Sequence, residues 1–162
     1  LGQLPFIAED LGDVTPAVHR LRDEFDLPGM RIVQWAFFDP KGSSNDLPHH
    51  HPKHCVVYPG THDNDTIEGW HQGLDRSTKS NLQTYFGKGN QLSASEMLIQ
   101  MALHSPANTS VIQMQDFLSH GRRSRMNVPG RAQGNWIWRL KPDELKMTHA
   151  KRLHAHIKMS GR

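Results

Sequence analysis

The sequence predicts an α/β protein with a parallel sheet, corresponding to the C-terminal half of a (β/α)8 TIM barrel. Three observations carry this expectation. Short apolar runs alternate with helix-length segments, the order of parallel strands joined by crossover helices. About four such strands, most followed by a helical segment, stand in 162 residues, whereas a complete eightfold barrel takes roughly 250. Carboxylates directly follow two of the apolar runs, at the strand ends where barrel enzymes place their chemistry.

Taken in order, residues 5–8 read as a short buried strand. Residues 15–25 read as a helix, with Thr15 as N-cap, Pro16 at the first helical position, and Val18, Leu21 and Phe25 on one face. Pro28 and Gly29 end it, and residues 30–38 read as a second, mostly apolar strand. A polar loop rich in His, Pro and Ser covers 39–54, and residues 55–58 form a third strand. Residues 66–86 are mostly helical. Residues 93–104 make a better-defined helix, with Ser93 and Glu96 as a capping box and Met97, Leu98, Met101 and Ala102 on one face. Residues 110–118 read as a fourth strand, followed by a Gly/Arg/Asn loop, the run 136–140, and a basic tail helix starting near Pro142. Leu1 stands close ahead of the first expected strand, so the chain is read as a fragment whose outer strands are unpaired edges.

Composition excludes several classes. Nineteen basic against sixteen acidic residues give a net charge of +3, with the excess in Arg122, Arg123, Arg125 and the tail from Lys141. No dense basic patch interleaved with aromatics stands there, so no nucleic-acid partner is expected. The single cysteine, Cys55, forbids an intrachain disulfide and suits a reducing compartment, hence a cytoplasmic protein. No apolar run approaches the ~20 residues of a membrane span, and no membrane partner is expected.

Carboxylates at the end of a buried strand are costly to desolvate and add nothing to a core, which makes them suspects for chemistry. Glu9 and Asp10 follow the first run; Asp63 follows the third, in Gly60-Thr61-His62-Asp63-Asn64-Asp65. Plainer roles stand beside these: an acid answering a helix dipole for Glu9, and the tip of an Asx turn for Asp63. The cluster His49-His50-His51 with His54 invites a metal, but no distant second pair of ligands accompanies it, and a solvated loop is the preferred reading.

The ordered motifs carry a resemblance. They are Ile7-Ala8-Glu9-Asp10-Leu11-Gly12 with Thr15-Pro16, Leu27-Pro28-Gly29-Met30, Gln34-Trp35-Ala36-Phe37, Leu47-Pro48-His49, Val57 through Thr66 with Gly69-Trp70, and Arg125 through Gly130 with Gly134-Asn135-Trp136. Together they span residues 4 to about 140, and the chain resembles the 4-α-glucanotransferases (amylomaltase or disproportionating enzyme) of the α-amylase clan. The resemblance implies that Glu9 is the general acid/base, that Asp63 stabilises the transition state, and that His62 hydrogen-bonds the reacting sugar. The family's nucleophile is an aspartate in a Gly-x-Arg-x-Asp-like segment. No such segment stands in these 162 residues, which would then be the C-terminal part of a catalytic barrel domain and inactive alone.

Retaining transfer needs one carboxylate to attack the anomeric carbon and a second carboxyl to protonate the leaving oxygen and later act as base. Glu9, after an apolar run and beside a second acid, suits the second task, while Asp10 is expected to brace the loop. Asp63 is placed to hold ring hydroxyls as positive charge develops. Asp39 and His49 are further candidates for hydroxyl binding, or else ordinary loop residues. Trp70 is a stacking platform or a helix-core residue, and Trp35, Phe37 and Phe38 are expected to pack rather than to serve as sugar platforms. Arg125, Asn127 and Asn135 are placed to close one side of a groove or to satisfy loop backbone. The expected partners are α-1,4-glucans and maltooligosaccharides, with no cofactor. Two alternatives stand beside the transferase: another hydrolase or branching enzyme of the clan, and a noncatalytic glucan-binding remnant.

Overall fold

A computed structural model describes residues 5–39, 41–87 and 89–162. Helix α1 (Pro16–Glu24) is followed by strand β1 (Gly29–Ile32), strand β2 (Cys55–Tyr58), helices α2 (Ile67–Gly73), α3 (Arg76–Phe86) and α4 (Ala94–Leu103), strand β3 (Thr109–Ser110), the single turn α5 (Met114–Phe117) and helix α6 (Met147–Met159). The strands form one parallel sheet in the order β1-β2-β3, with Met30 paired to Val56, Ile32 to Tyr58 and Val57 to Ser110. A mixed α/β architecture on a parallel sheet is thus what the chain adopts.

Side chains alternate across the strands and sort the two faces of the sheet. Cys55 and Val57 join one buried cluster with Ile67, Leu82, Met97, Leu98, Met101 and Phe117, so α2, α3 and α4 cover that face. Met30 and Tyr58, from the alternate positions, line a cleft instead. Helix α4 begins where the sequence reading places it. Ser93 accepts from Glu96 N–H while the Glu96 carboxylate accepts from Ser93 N–H, and eight of the ten residues of α4 are buried.

Four expected elements differ. Residues 5–8 form no regular strand; Ala8 makes one backbone bond to Pro28 O (2.9 Å), and Leu4, where the ordered motifs begin, lies outside the described residues. The expected strand 30–38 stops at Ile32 and becomes a 3-10 turn over Val33–Phe37. That turn buries Val33, Ala36 and Phe37 in the helix-covered core, and Gln34 N–H bonds Pro59 O at 3.0 Å. The expected strand 110–118 shrinks to Thr109–Ser110 because Gln113 begins α5; Val111 N–H still reaches Val57 O at 2.9 Å. The tail helix starts at Met147, five residues after Pro142. Residues 66–86 divide into two helices, each with its own cap: Thr66 accepts from Gly69 N–H, and Asp75 from Thr78 N–H.

Candidate active site

A cleft of about 710 Å³ opens at the carboxyl ends of β1 and β2, lined among others by Glu9, Trp35, Tyr58, His62, Asp63 and Gln113. Among the described residues, Glu9 and Asp63 are the two carboxylates on its wall.

Glu9 reaches the cleft because Asp10 does not. The Asp10 side chain is buried, accepts from Met30 N–H at 2.7 Å and pairs with Arg22 of α1. Gly29 makes that position possible, since a Cβ there would sit 2.6 Å from Asp10 Oδ2. With Asp10 locked to the start of β1, its neighbour is turned outward, and Glu9 is exposed rather than enclosed by an apolar strand. Burial also pushes the Tyr58 phenol above its ordinary range, with the nearby Glu9 charge adding to the effect.

Asp63 sits on a tight turn after β2. Asn64 Oδ1 accepts from both the backbone and hydroxyl of Thr61, each at 2.8 Å, so Asn64 builds the turn that presents His62 and Asp63. His62 Nε2 lies 3.3 Å from Asp63 Oδ1, and Asn127 Nδ2 donates to the same oxygen at 2.5 Å. Among the described residues no protein donor reaches Asp63 Oδ2. Arg125 holds the backbone of the turn, donating to Asp63 O at 2.6 Å and to Asn127 O at 2.7 Å. Trp136 stands over His62 with ring centroids 5.0 Å apart and half of its surface exposed.

The structure therefore brings together Glu9, His62, Asp63 and Asn127, with the Asn127 amide committed to Asp63. It does not bring Asp39, His49 or Trp70 to this cleft. Asp39 accepts from Lys41 N–H, Ser43 N–H and Ser43 Oγ, which closes its own loop; the Ser43 hydroxyl leads the causes holding its carboxyl below the usual range. His49 stacks on Tyr85, with Nδ1 3.0 Å from the phenol oxygen, against a different hollow beside α3. Trp70 packs on the core cluster from α2. The histidine cluster does not converge on a common point: His49 and His50 pack edge to face with centroids 4.1 Å apart, while His50 meets Ser44 O and His51 meets Ser105. No three His, Cys, Asp or Glu side chains group as about a metal ion among the described residues.

Sequence reasoning missed Trp35, Tyr58, Gln113 and Trp136 as cleft or site residues. The sequence favours packing over a sugar platform for Trp35, yet it lines the cleft from the 3-10 turn. Trp136 stands in the Gly134-Asn135-Trp136 motif, but its left-handed φ of 62°, which a bulky residue rarely adopts without tertiary support, shows only in the fold.

A parallel α/β fold with two carboxylates facing one cleft at the end of its sheet defines a class of enzyme-like sites, and similarity supplies the family. The family model described as 4-alpha-glucanotransferase, glycoside hydrolase family 77, matches residues 1–146. The chain belongs to this family. It is 43% identical over 169 residues to the 4-alpha-glucanotransferase of Thermus thermophilus, covering 99% of this chain and 33% of that protein. The chloroplastic/amyloplastic 4-alpha-glucanotransferase of Solanum tuberosum is 44% identical over 140 residues, 86% of this chain and 24% of its own length. Among solved structures, amylomaltase from Streptococcus agalactiae in complex with acarbose superposes with a TM-score of 0.95 at 33% identity, over 100% of this chain and 33% of the other. The chain thus spans about a third of the length of the Thermus thermophilus protein.

Proposed function

We propose that the chain supplies two of the three carboxylates of a retaining 4-α-glucanotransferase, and that it is the C-terminal half of that enzyme's (β/α)8 barrel. The carrying observation is that Glu9, next to the Asp10 that bonds the start of β1, and Asp63, on the turn after β2, line one cleft beside His62. Glu9 protonates the oxygen leaving an α-1,4 bond of a maltodextrin and later accepts the proton of the acceptor's hydroxyl. Asp63 receives ring hydroxyls on Oδ2 and binds them more tightly as the oxocarbenium ion develops, while Asn127 and His62 steady Oδ1. The arrangement needs an attacking carboxylate as well. That carboxylate stands on a strand outside these 162 residues, so the chain alone is inactive. The single cysteine, buried and free, suits the reducing cytoplasm. Among the described residues no helix is long and apolar enough to cross a membrane.

The test replaces the matched third of the Thermus thermophilus enzyme with this chain and supplies maltoheptaose. The expected products are longer glucans and glucose, with Glu9→Gln lowering turnover by roughly 10²–10⁴-fold. Continuously rising reducing sugar would assign a hydrolase instead. Acarbose binding that persists with no turnover, indifferent to Glu9→Gln, would leave a noncatalytic binder.

A further inference from the structure

We propose that Gln113 and Asp116 are a positioning pair for Asp63, clamping the two ends of the loop that carries it. The loop leaves the sheet after Tyr58 and re-enters regular structure at Ile67, the first residue of α2. At its leading end, Gln113 Nε2 donates to Gly60 O at 3.0 Å and to Thr61 O at 3.1 Å. At its trailing end, Ile67 N–H donates to Asp116 Oδ1 at 2.8 Å. Gln113 Nε2 also lies 3.4 Å from Asp116 Oδ2, so the two clamps touch. Both come from one segment, β3 to α5, which the sheet already ties to β2.

This is more than a satisfied core. Asp116 is fully buried, and removing a carboxylate from water is costly unless a specific arrangement uses it. Desolvation raises its carboxyl to about 7, and Asp65 and Glu68 on the α2 side add to the rise. Asp65 is itself paired with Arg122 at 2.6 Å, and Gln34 Nε2 holds Asp65 O at 3.0 Å. The side chain of Gln113 lines the cleft while its amide reaches the loop backbone, so a shift in either clamp moves Asp63 relative to Glu9.

The inference rests on Asp63 acting in the transition state, and the experiment separates the two claims. In the Thermus chimera described above, Gln113→Leu keeps volume and loses the donor. It is expected to lower kcat by about 10²-fold with KM within a few-fold, the signature of a misplaced catalytic group. Asp116→Ala is expected to do the same, and Asp116→Asn, which retains an acceptor for Ile67 N–H, to recover most of the loss. Amide exchange at His62, Asp63 and Asn64 is expected to rise in Gln113→Leu and Asp116→Ala but not in Asp116→Asn. Unchanged kcat and exchange in Gln113→Leu would overturn the proposal, as would a loss carried wholly by KM or by melting temperature. If the parent chimera has no turnover, the functional reading fails, while the exchange pattern still decides whether the clamp exists.

Discussion

Helices α1 and α4 start from similar sequence patterns and end in opposite environments. Each has a hydroxyl residue at its N-cap and apolar residues at helical spacing. Helix α4 buries eight of ten residues, whereas α1 buries none, and Val18, Leu21 and Phe25 are 47%, 54% and 53% exposed. Periodicity selects which face of a helix is apolar; it says nothing about what lies opposite. The sheet face and α2 supply that partner for α4. For α1, the described residues supply an Asp10–Arg22 ion pair and no apolar surface of comparable size.

The largest expected contrast comes from truncating each apolar face. Leu98→Ala should cost about 2–5 kcal/mol in urea denaturation, because Leu98 is fully buried. Leu21→Ala in the same chain should stay within about 0.5 kcal/mol. A large loss at Leu21 would show that α1 has a partner in solution.

The packed side also carries two buried titratable groups whose effects oppose each other, and α1 has no equivalent. Asp116 titrates near 7 in the fold but near 3.8 when unfolded, so its contribution to stability falls as pH rises from about 4 to about 7. Burial lowers His51 to about 4 from 6.5, so its contribution rises with pH across about 4 to 6.5. Relative to the parent chain, Asp116→Asn should therefore make the slope of stability against pH more positive between about pH 4.5 and 6.5, and His51→Gln should make it more negative. Urea midpoints across that window give the sign directly, and the reverse order would refute both assignments.

A longer chain gives the exposed face of α1 a candidate partner. If the proposed barrel half covers its face, Leu21→Ser should cost about 1.5–3 kcal/mol in the Thermus chimera while remaining nearly silent in the 162-residue chain. Equal, small effects in both would leave that face solvent-exposed by design. The smallest contrast is at the caps. Ser93→Ala should cost about 1 kcal/mol, since Ser93 accepts from Glu96 N–H, whereas Thr15 makes no side-chain cap bond and Thr15→Ala should be near neutral.

Local chemistry made much of this protein legible. The Ser93–Glu96 capping box, the apolar run of β2, and the Thr15-Pro16 helix start depend on residues within a few positions of one another, and each stands where the sequence places it. The motifs around Glu9 and Asp63 likewise identify the family from the chain alone. What the sequence could not decide depends on distant partners. Residues 33–37 are apolar enough for a strand, but Gln34 N–H finds Pro59 O across the sheet end, and a 3-10 turn sends Val33 and Phe37 into the core. Of the adjacent acids Glu9 and Asp10, the sequence reading expects Asp10 to brace the loop, but the means lies in the fold: Asp10 approaches the start of β1 past a glycine and leaves Glu9 facing the cleft. Asp39 and Asp63 are both acids just beyond an apolar run. Local serine and backbone donors close the first into its own loop, while Asn127, sixty-four residues further on, holds the second at the cleft. Short-range hydrogen bonds and periodicity are written in neighbouring residues. Which carboxylate faces the cleft is set by long-range packing, which the order of residues specifies only once the chain has folded.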